Sequence, residues 1–461
     1  MKAICFLQVM VVSTALAQGA VLYDVIDLGY GPYPTDVGDS GQVLFTQFVL
    51  VPDGAGHYVR WNFPALSADE MNTWNQIVGH RSYQSYIWTP DGMGGYTATR
   101  VDLEWAFGIN DACEVAGCFP VGGYYHPYIW TPEGGGTRVH LGTLGGEGGY
   151  ALDINNRGEV CGYSWLANDE VHAFYWTAAE GMLDIGTLGG VESHAMQIND
   201  WGQVTGSAFG PENKYHAFVW SREKGMIDVG VMEGSTDVAK SYGQDINNLG
   251  QVVGTAFDRN NMPRGFVWTE KRGLMDLNTV VDPALRVSFS RGVGNNNPGQ
   301  IVAEGTTAQG ARTVFLLNPR DTQGPVVTCA PMPLLWPPNH RLLPFSLTNF
   351  IVSVVDATDG PLTVSDSCRI VSIYSDELED ARGQGDGSTL GDIVMLNGSD
   401  FMVRAERAMP GNGRVYGVVV EAVDSMGNTT TVIWRIGVPA NPGKQEPVDD
   451  GPGTGYTVDA D

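Results

Sequence analysis

Apolar and polar positions along the chain fall into a unit that recurs. It is clearest at Ile198-Asn199-Asp200-Trp201-Gly202-Gln203-Val204-Thr205-Gly206, followed by His216-Ala217-Phe218-Val219-Trp220. Near-copies stand on either side, at 154–162 with 172–176 and at 246–254 with 264–268. A period of about 40 residues is the mark of a repeat architecture. Alignment on the turn before Gln/Glu-Val gives seven copies, anchored at Gly41, Asn75, Cys113, Gly158, Gly202, Gly250 and Gly299. The aromatic strand that follows ends at Trp61, Trp88, Trp130, Trp176, Trp220, Trp268 and Leu317. In the last four copies anchor and strand end are always 18 residues apart.

Each copy reads as four short strands. The first ends at the Ile of Ile-Asn, and Asn-x-x-Gly suits a type I turn with glycine at the position of positive φ. Gln-Val-Val-Gly is the second strand, His-Ala-Phe-x-Trp the third, and Gly225–Gly230 typifies the fourth. Asn75 tolerates a left-handed backbone, whereas Cys113 is out of place there. Alternation in His216–Trp220 puts His, Phe and Trp on one face and Ala and Val on the other. A sheet apolar on both faces must be packed between others, as in a propeller or a stacked solenoid. The ends of the repeat region choose between these. Asp24-Val25-Ile26-Asp27-Leu28-Gly29 matches a fourth strand yet precedes the first copy, and the last copy stops after its third strand, Val314–Leu317. The expected fold is therefore all-β: a seven-bladed β-propeller over residues 18–318 whose last sheet is completed by the N-terminal strand.

Composition agrees with this and narrows the function. The 461 residues include 61 Gly and 25 Pro, which suits a turn-rich β protein. Acidic residues outnumber basic ones 52 to 26, a net charge of -26, so nucleic acid is not an expected partner. Lys2, the apolar run from Ala3 to Val12 and Ala15-Leu16-Ala17 read as an export signal over residues 1–17. No other stretch reaches the roughly 20 apolar residues that span a bilayer, so membrane insertion is not expected. Cys5 lies within the signal, leaving Cys113, Cys118, Cys161, Cys329 and Cys368, an odd number with no C-x-x-C pair.

After Leu317 the period stops. Residues 319–324 read as a linker, and 325–438 as a β-sandwich with strands at Val326–Cys329, Ile351–Val355, Arg414–Ala422 and Thr429–Ile436. Residues 439–461, rich in Pro, Gly and acids, read as a disordered tail.

The strand-end tryptophans are placed for packing between sheets, with carbohydrate stacking as the other use of such a series. His172, His194 and His216 recur once per copy, as structural hydrogen-bonding groups do. The residue just before the first strand's Ile is Asp36, Glu70, Asp153 and Asp245 in four copies and Gln197 in a fifth. First strands line the channel of a propeller, so these four acids are candidate cation ligands, with calcium the candidate cofactor. The competing reading is that each side chain satisfies its own turn. Asp376–Asp380 and Asp386–Asp392 form a second acidic stretch, without EF-hand spacing.

His172-Ala173-Phe174 and His216-Ala217-Phe218, with Gly186-Thr187-Leu188-Gly189-Gly190, resemble the HAF family of extracellular bacterial repeats. The resemblance implies secretion to the exterior or the cell surface and brings no catalytic residues. Leu335-Trp336-Pro337-Pro338-Asn339-His340, Gly413-Arg414-Val415-Tyr416 and Ala422-Val423-Asp424-Ser425-Met426-Gly427-Asn428 resemble an immunoglobulin-like accessory domain of bacterial secreted proteins. That implies a spacer or adhesive module, in which Cys329 and Cys368 are the expected disulfide. The function expected is non-enzymatic binding or adhesion by a monomer, with an extracellular glycan or protein as partner. A polysaccharide hydrolase or lyase, and a structural surface component, are the alternatives.

Overall fold

The structure is a computed structural model. It describes residues 22–460 except positions 30, 32, 64–66, 82, 233–239, 357–358, 379–390, 408–411 and 442–445. The expected export signal lies outside the described residues. The chain divides into two compact units, Met1–Arg320 and Asp321–Asp461.

Among the described residues the first unit holds seven four-stranded antiparallel sheets. In six of them the strands are consecutive, as in Ser193–Ile198, Val204–Phe209, Tyr215–Ser221 and Gly225–Gly230. The seventh is different. Ser288–Asn295, Ile301–Thr306 and Arg312–Pro319 come from the end of the unit, and the outer strand is Tyr23–Gly29 from its beginning. Tyr23 pairs with Pro319 and Val25 with Leu317, as the alternation at both ends of the repeat region requires. Arg320 reaches back to Asp24 at 2.8 Å. Leu22 and Tyr23 are buried, and Ile26 and Leu28 pack on Val302, Val314 and Leu316 and on Phe45 and Phe48 of the first sheet.

Packing between neighbouring sheets explains why both faces of each strand are apolar. Trp220 shares a cluster with Cys161 and Tyr175 of the preceding sheet, and Trp268 one with Ala217 and Val219. Trp88, Trp130, Trp176, Trp220 and Trp268 are all buried in such clusters. In the first sheet the expected register is wrong. Val43 pairs with Leu50, so Leu50 takes the tryptophan's place, and Trp61 lies on the fourth strand, Tyr58–Asn62. The cause is a tight hairpin in which Phe45 already faces Phe48.

Among the described residues the second unit has three sheets around one core. Val326–Cys329, Ile351–Asp356 and Gly360–Pro361 form the first; Leu342–Ser346, Asp400–Arg404 and Ile393–Met395 the second. The third runs Thr429–Pro439, Gly413–Val423, Cys368–Ser375 and Tyr456–Asp459. Phe350 stacks on Trp434 at 4.0 Å in the core. Two expectations are corrected here. The tail is not disordered over its described length, because Tyr456–Asp459 pairs with Cys368–Ser375 and Asp449 binds Arg435 and the Tyr374 hydroxyl. No disulfide forms among the described residues: Cys329 and Cys368 lie on strands of different sheets and pack in the core as small apolar groups.

Candidate functional site

The turns after the first strands build the site. In Asn155-Asn156-Arg157-Gly158-Glu159 the Gly158 amide donates to Asn155 O at 3.0 Å, with Gly158 at φ 73°. Asn155 Oδ1 accepts from the amides of Arg157 and Glu159, both at 3.0 Å, so the side chain closes its own turn. Its Nδ2 is left to point outward and donates to Asn199 O of the next sheet at 2.9 Å. The same bond runs from Asn72 to Asn110, Asn110 to Asn155, Asn199 to Asn247 and Asn247 to Asn296. It then passes from Asn296 to Gly38 O of the first sheet at 2.9 Å. A second belt follows it one residue on: amides of Asp111, Asn156, Asp200, Asn248 and Asn297 donate to the side-chain oxygens of Asn156, Asp200, Asn248, Asn297 and Asp39. Cys113 takes its left-handed place in this series at φ 61°, and its Sγ lies 3.0 Å from Gln76 Oε1 of the preceding sheet.

The strands before these turns share one irregularity. Pairing shifts register between Pro34 and Asp36, Ala68 and Glu70, Ala151 and Asp153, Ala195 and Gln197, and Gly243 and Asp245. It also shifts between Ala106 and Gly108 and between Gly292 and Gly294. A bulge re-aims the side chain that follows it, here toward a common cavity of about 140 Å³. Asp36, Glu70, Asp153, Gln197 and Asp245 line this cavity together, as the sequence pattern predicts, with Asp39, Asp111 and Asp200 of the turns. Its described lining contains no Lys, Arg, His or Tyr.

The acids also tie sheets together. Asp153 accepts from the Ile154 amide at 2.6 Å and from Ile198 of the next sheet at 2.8 Å. Asp36 does so with Val37 and Met71, and Asp245 with Ile246 and Asn295. Glu70 faces Gly108, where a Cβ would lie 2.7 Å from Asp153 Oδ1; the missing side chain lets Glu70 hydrogen-bond to Asp153. Each aspartate thus satisfies the amide that follows it, the competing use of these side chains. Among the described residues they offer no trio of oxygens mutually within 4.8 Å, and backbone amides already take up the aspartates' oxygens.

Burial raises all four. It pushes Asp36 up to about 6 and, with the Asp36 charge adding, Asp245 up to about 8. Burial and then the Asp153 charge raise Glu70 well above its ordinary value, so Glu70 is the partner that keeps a proton and donates it to Asp153. In the unfolded chain these groups ionise near pH 4. Between there and the folded values the native state holds more protons, so their contribution to stability falls as pH rises through that window. Asp245→Asn is expected to flatten the decline of the first unit's melting temperature between about pH 5 and about pH 8.5, measured by calorimetry. An unchanged slope contradicts the assignment.

No family model matches the chain, and no curated protein does. Among solved structures the chain is similar to TolB from Acinetobacter baumannii, with 10% identity over 65% of this chain and 80% of that one and a TM-score of 0.36. It is similar to a puromycin hydrolase S511A mutant complexed with PGG (11%, 69% and 59%, TM-score 0.40). A third is a gluconolactonase from Xanthomonas campestris (9%, 66% and 93%, TM-score 0.34). At such identities none lends its activity to this chain.

The remaining candidates are structural. His172 and His216 bond Asp184 and Asp228, each at 2.9 Å, and His194 lies against Tyr163. Asp376 accepts from the Val415 amide and Asp392 is paired with Arg414 and Arg404; the acids between 379 and 390 lie outside the described residues. Two residues missed as site candidates are Trp74 and Trp201. They occupy matching turn positions, each one residue past the lining Thr73 and Asp200, and are 67% and 68% exposed. The only sequence signal for them is an aromatic at a turn position that holds Ser40, Ala112, Arg157, Leu249 and Pro298 in the other copies.

Proposed function

We propose that the chain is a secreted, non-enzymatic binding protein: a closed seven-bladed propeller, followed in the sequence by an immunoglobulin-like module, that holds a hydroxyl-rich ligand such as a glycan at the mouth of its acidic cavity. Closure is supported by the pairing of Tyr23–Gly29 with Arg312–Pro319 and by the bond from Asn296 to Gly38. The HAF-like triplets and the signal-like segment at residues 1–17 support export.

The observation that carries the binding reading is the pair of exposed tryptophans, Trp74 and Trp201, on turns whose neighbours are cavity-lining carboxylates and amides. Flat aromatic faces stack on sugar rings, and Asp and Asn accept from and donate to hydroxyls. An anionic lining without a balancing cation disfavours phosphate and carboxylate ligands.

One observation favours a glycan hydrolase instead, namely the buried Glu70–Asp153 pair, since paired carboxyls of unequal acidity are what such chemistry uses. Against it, Glu70 and Asp153 are already bonded to each other, and no Arg or Tyr stands with them in the described lining.

A glycan array, followed by titration of the hits, tests the proposal. Trp74→Ala and Trp201→Ala are each expected to weaken a bound glycan by about tenfold or more, the order of one lost stacking contact. Asp153→Asn leaves it bound. Turnover of a polysaccharide that Glu70→Gln abolishes establishes the hydrolase; binding indifferent to both tryptophans contradicts the proposed face.

A further inference from the structure

The second unit contains a group of acids that none of the foregoing uses. Asp424 begins the loop Asp424-Ser425-Met426-Gly427-Asn428 between the two longest strands. Its Oδ1 accepts from the amides of Met426 at 2.8 Å and Asn428 at 2.9 Å, and its Oδ2 from Asn428 Nδ2 at 2.7 Å. Asp356 closes the strand Ile351–Asp356 and accepts from the Asp359 amide. Asp359 in turn holds Ser425 through its amide at 2.8 Å and its hydroxyl at 2.7 Å, which clamps the two loops together. Asp321, the first residue of the unit, is the third member.

One carboxylate oxygen from each of Asp321, Asp356 and Asp424 lies within 4.8 Å of the other two. The three residues are 8%, 3% and 1% exposed. The independent observation is at Asp321: its Oδ2 is fully buried and accepts no hydrogen bond. A buried carboxylate oxygen with no donor is unfavourable, and a shared cation is the usual remedy among converging acids.

We propose that Asp321, Asp356 and Asp424 form a divalent-cation site, with calcium the best-matched ion, that ties the start of the second unit to two of its loops. Three hard oxygen donors without His or Cys exclude the preferences of zinc and copper. Carboxylates drawn from separate loops suit the flexible, high coordination of calcium better than the strict octahedron of magnesium. The site is independent of the cavity in the first unit and of any glycan bound there.

The test uses the full chain stripped with EDTA. Calorimetric titration with calcium chloride is expected to show a site whose occupation raises the unfolding midpoint of the second unit and leaves that of the first unchanged. Asp321→Asn is expected to weaken calcium binding by about tenfold or more, yet to unfold in EDTA no earlier than the parent, because it removes a like charge. Asp356→Asn is the second variant, read in the same way, and Asp153→Asn is the control that retains binding. Absence of heat and of any midpoint shift at millimolar calcium overturns the proposal, as does a shift confined to the first unit, or Asp321→Asn binding as tightly as the parent.

Discussion

A chain that begins at Pro34 is expected to lose the fold of its entire first unit. The strand Tyr23–Gly29 is remote in sequence from the sheet it completes, and among the described residues Arg312–Pro319 has no other partner on that side. Without it the ladder from Tyr23 to Gly29 is lost, together with the Asp24–Arg320 pair and the bond from the Thr313 hydroxyl to Asp27. Leu22 and Tyr23 leave the core, and Ile26 and Leu28 leave the interface between the last and first sheets. At about 1.5–3 kcal/mol for each fully buried apolar side chain, and less for the two half-buried ones, the loss is on the order of 5 kcal/mol before hydrogen bonds are counted. That is comparable with the whole stability of many domains. The bare edge of an apolar sheet is also a template for aggregation. Size-exclusion chromatography and near-ultraviolet circular dichroism of the truncated chain check this. A monomer with an unaltered spectrum contradicts it.

The second large effect is expected at Arg414, which is fully buried in the second unit. Its guanidinium binds Asp392 and Glu377, donates to Leu378 O and lies against the Tyr416 hydroxyl. Asp392 is as deeply buried, with Arg404 on its other oxygen at 3.0 Å. Arg414→Met fills the space but leaves two carboxylates short of a cation, and removing one partner from such a pair costs about 3–5 kcal/mol. Arg404 still compensates Asp392 in part, so a loss of about 3 kcal/mol is expected, a fall of roughly 10 °C in the second unit's melting temperature. Denaturant unfolding followed by calorimetry measures it. A change below about 1 kcal/mol contradicts the role given to this network.

Much of the first unit was legible because burial on both faces leaves a mark at every strand: Val252, Phe266 and Trp268 are apolar for reasons that recur in each sheet. The orphan strand could be read because an unpaired edge at one end matched a missing one at the other. The four acids line one cavity, since a bulge repeats before each of them. Their chemistry was not legible. Which amide an aspartate accepts from depends on the neighbouring sheet, and Ile198 stands 45 residues from Asp153. The asparagine belt stayed hidden for the same reason: Asn155 looks fully explained by its own turn, and its donor reaches a carbonyl 44 residues away. In the tail, composition misled, because Tyr456–Asp459 alternates correctly for an edge strand within a Pro- and Gly-rich context. The Asp321, Asp356 and Asp424 group joins residues far apart in the chain, one of them in what reads as a linker.

Hydrogen exchange of the intact protein, read by mass spectrometry on peptides covering residues 23–29, tests the closure of the ring most directly. The account predicts that the hydrogen-bonded amides of Tyr23–Gly29 exchange as slowly as those of Arg312–Pro319, and that both sets open together with the unit as a whole. Exchange of residues 23–29 at the rate of a free chain end, beside a protected Arg312–Pro319, would contradict it.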